Sequence, residues 1–390
     1  MTDVTTDTAL SPETRTPVER AAPSRRFVVD ALEVVIRSIV PVLLALGAGA
    51  ILLLALGRDP ITFYSNIWKG GIELTAWQDS AVRAAPLLLI AVGLVVVFRA
   101  NIWNLGYNGQ FLLGAALISG FGPRLVGSEP RWFALVVLTL LAGAAGAVWT
   151  LVPALLKARY ETNEIITTLM MSFIGVGVAN ILIKGPFQDP TVNIPQTRVL
   201  PLDKMLPAIP GTRIHVGVLL ALAAAVIVHF VLTRTSFGLR LQILGANPRA
   251  ARHVGLNVPR LILMSFLVSG LLIGMAAAAD ILGTWGYVRA NWNPAYGDTV
   301  IPFVFLARLN ALALIPFVIF YAVLSTGGDL ATQQASLPTD FLLVLVALIL
   351  LFMTVIEYLG RRRELGGSYL SPGLSQALRA SLFWRKTAVE

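Results

Sequence analysis

The side chains best suited to handling a solute lie in one short run, Asn101-Ile-Trp-Asn-Leu-Gly-Tyr-Asn-Gly-Gln110. Asn101, Asn104, Asn108 and Gln110 offer donors and acceptors together, which suits a neutral, hydroxyl-rich ligand. Trp103 and Tyr107 are four apart, so on a helix they would turn one aromatic face toward a base or a sugar ring. Gly106 and Gly109 permit close helix contact or an interruption of the helix. The same run also reads as an interfacial loop anchored by its tryptophan. Asp280 is the one carboxylate inside an apolar run of its length, which makes it a functional candidate by default. Its closeness to Trp285 and to the end of that run also favours a structural role.

A second polar stretch, Thr235–Arg260 (TSFGLRLQILGANPRAARHVGLNVPR), is basic and lies between two long apolar runs. Asn247 fits an N-cap, Pro248 the first helical position and Gly255 the residue that closes a helix. This predicts a helix of about two turns over Pro248–Val254, too short to be stable alone in water. Arg249, Arg252 and His253 share its face. A capped helix of this kind suits docking into a partner, and an ordinary positively charged loop is the alternative.

Catalysis has little to work with. The five lysines (Lys69, Lys157, Lys184, Lys204 and Lys386) all lack the glycine frame of a G-x-x-x-x-G-K-[ST] loop, so ATP is not bound and split that way. There is no H-E-x-x-H, no G-x-S-x-G and no close carboxylate pair inside an apolar run. Without cysteine there is no thiol nucleophile, and His215, His229 and His253 are too scattered for a metal. We expect no catalytic residue, no metal and no cofactor bound by this chain.

The elements that must position these stretches follow from composition. Of 390 residues, 56% are hydrophobic and only 13% charged, about half the usual charged share of a globular protein. The net charge of +9 is then better explained by a bias of loops on one side of a membrane than by nucleic acid. Apolar runs fall near 34–57, 82–98, 107–122, 132–153, 164–183, 214–233, 261–282, 299–308, 311–327 and 341–358. Most approach the length a helix needs to cross a bilayer. A single span over Thr299–Leu324 would bury Arg308 at about 2.5–3.5 kcal/mol, so a break there is cheaper.

With ten crossings and both termini inside, about 20 of the 30 Lys and Arg lie on the inner side, including Arg20, Arg25, Arg26, Arg99, Lys157, Arg234 and Arg361 to Arg363. Nine crossings would put that last run outside. The reading is an all-α, polytopic membrane protein of about ten transmembrane helices, some short or broken. Residues 1–26 are expected to form a disordered cytoplasmic tail, 27–358 the membrane domain with its basic loop at 234–260, and 359–390 a C-terminal cytoplasmic tail. Arg25–Arg26 before an apolar run also fits a twin-arginine export signal, but Asp30, Glu33 and Arg37 interrupt the start of that run. Gly185–Arg213, with six prolines, reads as an irregular outer loop, and Glu357 with Arg361 as a helix-end ion pair.

Four segments resemble permease subunits of ABC importers for nucleosides and simple sugars, within the ribose, galactose and branched-chain amino acid permease superfamily. Asn101–Ala115 is similar to the family's F-N-I-G-x-E-G-Q-x-x-x-G-A. Lys157–Met170 (KARYETNEIITTLM) resembles K-A-R-x-x-x-N-E-V-I-x-T-L-M. Gly185–Pro190 resembles G-P-x-x-D-P, and Gly245–Gly255 resembles G-x-N-P-x-A-A-x-x-x-G. Asn108 stands where the family usually has glutamate, and Trp285–Ala313 follows the family only loosely.

The resemblance implies a type II ABC importer fold in a bacterial plasma (inner) membrane, with both termini cytoplasmic. It implies a cytoplasmic ABC ATPase subunit that uses ATP and Mg, a second permease (a paralogue or this chain itself) and an extracytoplasmic substrate-binding protein. Asn247, Pro248, Arg249, Arg252 and Gly255 would then couple to the ATPase. Asn101, Trp103, Asn104, Tyr107, Asn108, Gln110 and Asp280 would lie on the pathway of a nucleoside or simple sugar. Two rivals stand beside this. An ion-coupled secondary transporter would need mid-span acidic or histidine relays, and the polar, aromatic run at membrane depth speaks against a scaffold or receptor that transports nothing.

Overall fold

A computed structural model describes residues 40–338 and 341–364. The N-terminal tail with Arg20, Arg25 and Arg26, most of the C-terminal tail, and the Glu357–Arg361 pairing lie outside the described residues.

The chain is helical, and among the described residues there is no strand, only isolated bridges. The helices are α1 Val40–Ala55, α2 Pro60–Gly71, α3 Ala76–Arg99, α4 Tyr107–Ser128, α5 Arg131–Trp149, α6 Leu151–Tyr160 and α7 Glu164–Lys184. Then come α8 Val216–Arg234, α9 Ser236–Ala246, α10 Pro248–His253, α11 Val258–Asp280, α12 Tyr296–Leu306, α13 Leu314–Gln334 and α14 Phe341–Glu364. Seven helical stretches are long and apolar enough to cross a membrane: α3, α4, α5 with α6, α7, α8, α11 with the π-helical turn Ile281–Trp285, and α13. Three shorter apolar helices accompany them, Val40–Ala55, Tyr296–Leu306 and Phe341–Ile356. The protein is a polytopic membrane protein.

Among the described residues two compact units can be distinguished, one holding residues 40–52 and 345–364, the other lying within residues 53–344. The second holds both polar stretches singled out by the sequence. Its centre is α3, whose residues Ala84 to Phe98 are buried without interruption. A helix that is apolar all round belongs inside a bundle. Against α3 lies α11, which also packs on α5 so closely that a Cβ at Gly146 or Gly274 would collide with the facing backbone. Small residues allow this approach where no hydrophobic effect between helices drives it. The connection Arg58–Ala81 is not a plain loop, because α2 folds within it and packs Ile67 onto Gly327 of α13.

Two helices are broken. After Arg99 the chain turns through left-handed Asn101 and runs extended to Gly106, where α4 begins. The Asn104 amide donates to Ser269, which lies roughly 16 Å along α11 from Val258 at 1.5 Å per residue. So α4 starts deep in the bundle rather than at its end. The second break comes at left-handed Arg308 and Leu309, after which Asn310 orders the turn before α13 by accepting the Leu312 and Ala313 N–H groups. The expected interruption at Arg308 is present. The expected shared face of Trp103 and Tyr107 is not, because Trp103 lies in the extended linker and only Tyr107 is helical. Asn104 accepts the Gly106 N–H at 3.1 Å, a local bond that holds the linker out of the helix.

Candidate functional site

Where α4 and α12 begin, their first turns meet. The Tyr107 hydroxyl donates to Asp298 Oδ1 at 2.5 Å, and Asn108 Nδ2 donates to Oδ2 at 3.1 Å. Gly297 makes room for the Tyr107 ring, since a Cβ there would enter it. One turn further along α4, the Phe111 ring meets Tyr296 edge-on at 5.6 Å and Trp292 at 6.2 Å. Trp285 packs on Trp292 at 6.1 Å. Asp280 is buried beside the Tyr296 hydroxyl, and its Oδ2 has no hydrogen-bond partner. Arg83 of α3 pairs with Asp329 of α13 at 2.5 Å.

Asp298 is nevertheless exposed, and Asn108, Trp292 and Tyr296 are half-buried. Charged groups at membrane depth face a watery cavity or a protein partner, not lipid. The arrangement offers an accessible carboxylate and an amide as hydrogen-bonding groups, beside aromatic rings that can stack on a flat ligand.

The other residues of the polar run are placed differently. Asn104 and Gln110 are buried and bonded reciprocally, Gln110 Nε2 to Asn104 Oδ1 at 2.9 Å and Asn104 Nδ2 to Gln110 Oε1 at 3.2 Å. Trp103 packs at a tilt against Phe98 and Phe305 with centroids 5.0 and 5.6 Å away, and those two rings stack on each other. Asn101 is exposed and lines a separate cavity of about 340 Å³ with Lys157, Glu161, Glu164, Pro248 and Arg252. Spacing missed Arg83, Asp298, Asp329, Tyr296 and Trp292. Their only signal was charge or aromaticity at the edges of apolar runs, with partners up to 246 positions away.

The basic loop forms three elements in sequence, α9, α10 and the start of α11. Asn247 Oδ1 accepts the Arg249 and Ala250 N–H groups at 2.9 and 3.1 Å, and Gly255 takes φ +79°. The helix stops at His253, one residue earlier than expected, with Val254 as its C-cap. Ala251 faces inward, while Arg249, Ala250, His253 and Val254 are exposed. Arg252 pairs with Glu161 in the turn between α6 and α7, and Lys157 pairs with Glu164 at 2.7 Å. The hydrogen bond from Arg252 holds the Glu161 carboxyl below the usual carboxylate range. Among the described residues no cluster of histidines and carboxylates could hold a metal.

A helical membrane bundle with broken spans meeting at a polar, aromatic centre, and a short capped helix at one end, has the architecture of a solute permease. The family described as branched-chain amino acid transport system, permease component, matches residues 77–354, and the chain belongs to it. It is similar to a glucose ABC transporter permease protein of Haloferax volcanii, 32% identical over 340 residues, 83% of this chain and 88% of the relative. A guanosine ABC transporter permease protein of Bacillus subtilis is 28% identical over 320 residues, 81% and 91% of the two chains. A nucleoside ABC transporter permease protein of Lactococcus lactis subsp. cremoris is 24% identical over 318 residues, 79% and 87%. The chain is thus a transport subunit of the plasma membrane, not an enzyme.

Proposed function

We propose that the chain translocates a nucleoside or a simple sugar into the cytoplasm, with ATP and Mg used by a partner ATPase and no cofactor held by the chain itself. The observation that carries this is the exposed Asp298 carboxylate, held by Tyr107 and Asn108 among Phe111, Trp292 and Tyr296. A carboxylate accepts from ribose or hexose hydroxyls, and the rings stack on a base or a pyranose face. Such a site distinguishes neither class alone, and relatives named for glucose and for guanosine support both.

A substrate-binding protein delivers the solute at the outer face, and a second permease, a paralogue or this chain again, completes the pathway. Both termini are cytoplasmic. Residues Asn247, Pro248, Arg249, Arg252 and Gly255 form the surface that the ATPase pushes. Trp103, Asn104, Tyr107, Gln110 and Asp280 belong to the pathway as its framework and Asn108 as a contact group beside Asp298, while Asn101 lines the cavity next to α10.

The test is ATP-dependent uptake of radiolabelled nucleosides and monosaccharides by the complete transporter in proteoliposomes. We expect one of these classes to accumulate and Asp298→Ala to lower accumulation at least tenfold, about 1.4 kcal/mol in binding terms. Uphill uptake by the isolated chain without any ATPase would favour an ion-coupled transporter instead.

A further inference from the structure

Away from this centre, the end of α3, the last turns of α8 and the break between α12 and α13 enclose a cavity of about 420 Å³. Its polar lining among the described residues is Arg99, His229, Thr233, Arg308 and Asn310. Leu232, Leu306 and Phe317 supply an apolar wall. Arg99 Nε is shut off from solvent without a hydrogen-bond partner. Among the described residues no carboxylate pairs with this guanidinium.

A half-buried guanidinium without an acceptor is an expensive arrangement for a chain to keep, and an oxyanion is what satisfies it best. Two of the neighbours are oriented by bonds of their own. Asn310 Oδ1 already accepts two backbone N–H groups, which fixes the orientation of that amide. His229 Nδ1, 3.1 Å away, must therefore be the donor in their contact, so the ring presents its Nδ1–H tautomer. The N-terminal end of the 21-residue α13 adds its positive dipole end to the same wall.

Two features bear on the ligand's size and source. The cavity exceeds what a small inorganic ion fills, and part of its wall is hydrocarbon. It also lies at the end of the bundle that carries α10, because the Arg99 carbonyl packs against Gly245 of α9. Basic pockets between spans at the membrane surface are suited to lipid phosphates. We propose that this cavity is a phosphoryl-binding site, occupied by the headgroup of an anionic phospholipid or by free phosphate.

The experiment uses the full-length chain in its transporter complex, reconstituted with equal phosphatidylglycerol and phosphatidylcholine. After gentle extraction, retained lipids are counted by native mass spectrometry. Wild type should retain the anionic lipid about tenfold over the zwitterionic one, because the choline cation of phosphatidylcholine already neutralises its phosphate and is repelled by a basic pocket. Arg99→Gln should abolish that preference, Arg99→Lys should restore part of it, and Arg240→Gln, an exposed arginine outside the cavity, should not change it. In the second arm, inorganic phosphate is titrated into lipid-stripped complex while its melting midpoint is followed. A rise in midpoint that Arg99→Gln removes assigns the site to the free ion. Equal retention of both lipids by wild type with no phosphate effect overturns the proposal, whether or not any variant folds. So does a preference that Arg99→Gln leaves intact.

Discussion

Replacing Asn104 with leucine separates a framework role from direct solute contact. Asn104 is fully buried and makes four hydrogen bonds, to Gln110 twice, to Ser269 and from the Gly106 N–H. Leucine matches its branching, with a larger volume, but strands the Gln110 amide, the Ser269 hydroxyl and the Gly106 N–H away from water. Each buried orphan costs about 1–3 kcal/mol. Interhelical hydrogen bonds inside membranes average only ~0.6 kcal/mol, because the unfolded chain in lipid also finds partners. The penalty is therefore about 2 kcal/mol at the low end and roughly 9 kcal/mol at the high end. The assay is a melting curve of the detergent-solubilised complex by size-exclusion chromatography, run beside uptake at saturating solute. We expect Asn104→Leu to melt well below wild type and to lose uptake in proportion to the folded complex that remains. Asn104→Asp keeps the acceptor for Gly106 and can take a hydrogen bond from Ser269, so it should melt between the two. An unchanged melting point with only a raised KM would refute the framework argument and return Asn104 to the solute.

Three further outcomes are expected. Asn108→Glu sets a second carboxylate against Asp298 and should cut uptake severalfold, and adding Asp298→Asn should recover part of it; no recovery would mean the two do not meet. Arg252→Glu should uncouple ATP hydrolysis from uptake, and Glu161→Arg in the same chain should restore coupling, measured as solute moved per ATP. Burial pushes the His215 imidazole down to about 4. A base with a depressed folded pKa binds fewer protons than the unfolded chain between that value and about 6.5, so stability is full above this window and falls as pH drops through it. The loss amounts to about 3 kcal/mol at most. His215→Asn, which keeps an acceptor for the Gly217 N–H, should flatten the dependence of melting point on pH.

Local rules carried furthest where one segment contains its own signals. Asn247, Pro248 and Gly255 defined α10 to within one residue, because capping depends on neighbours in sequence. The break at Arg308 followed from the cost of an arginine in lipid, and left-handed Arg308 and Leu309 provide it. The polar centre was legible only by half. Tyr107 and Asn108 stood out in their run, but Asp298 gave no sign that it would reach them, and Arg83 with Asp329 looked like ordinary span ends. Contacts between residues some 190 to 246 positions apart are set by helix packing and by the depth at which broken helices restart. Neither is written in any periodicity.

That packing also bears on how a push at α10 could reach the centre. Only Val254 to Asn257 separate α10 from α11, and Asn257 caps α11 by accepting the Arg260 N–H. The same helix holds Ser269, which anchors the Asn104 linker and so the start of α4, and ends at Asp280 beside Tyr296 of α12. Both broken helices that frame Asp298 are therefore tied to one rod whose lower end adjoins the exposed basic helix. A rod moves as a unit only if its interior is tight, and the glycine contacts with α5 make a sliding motion along that seam easier than a separation. Coupling through α11 thus requires no chain of side-chain rearrangements. It requires only a shift of one helix against its neighbours, and the Arg252–Glu161 pair sits where such a shift would begin.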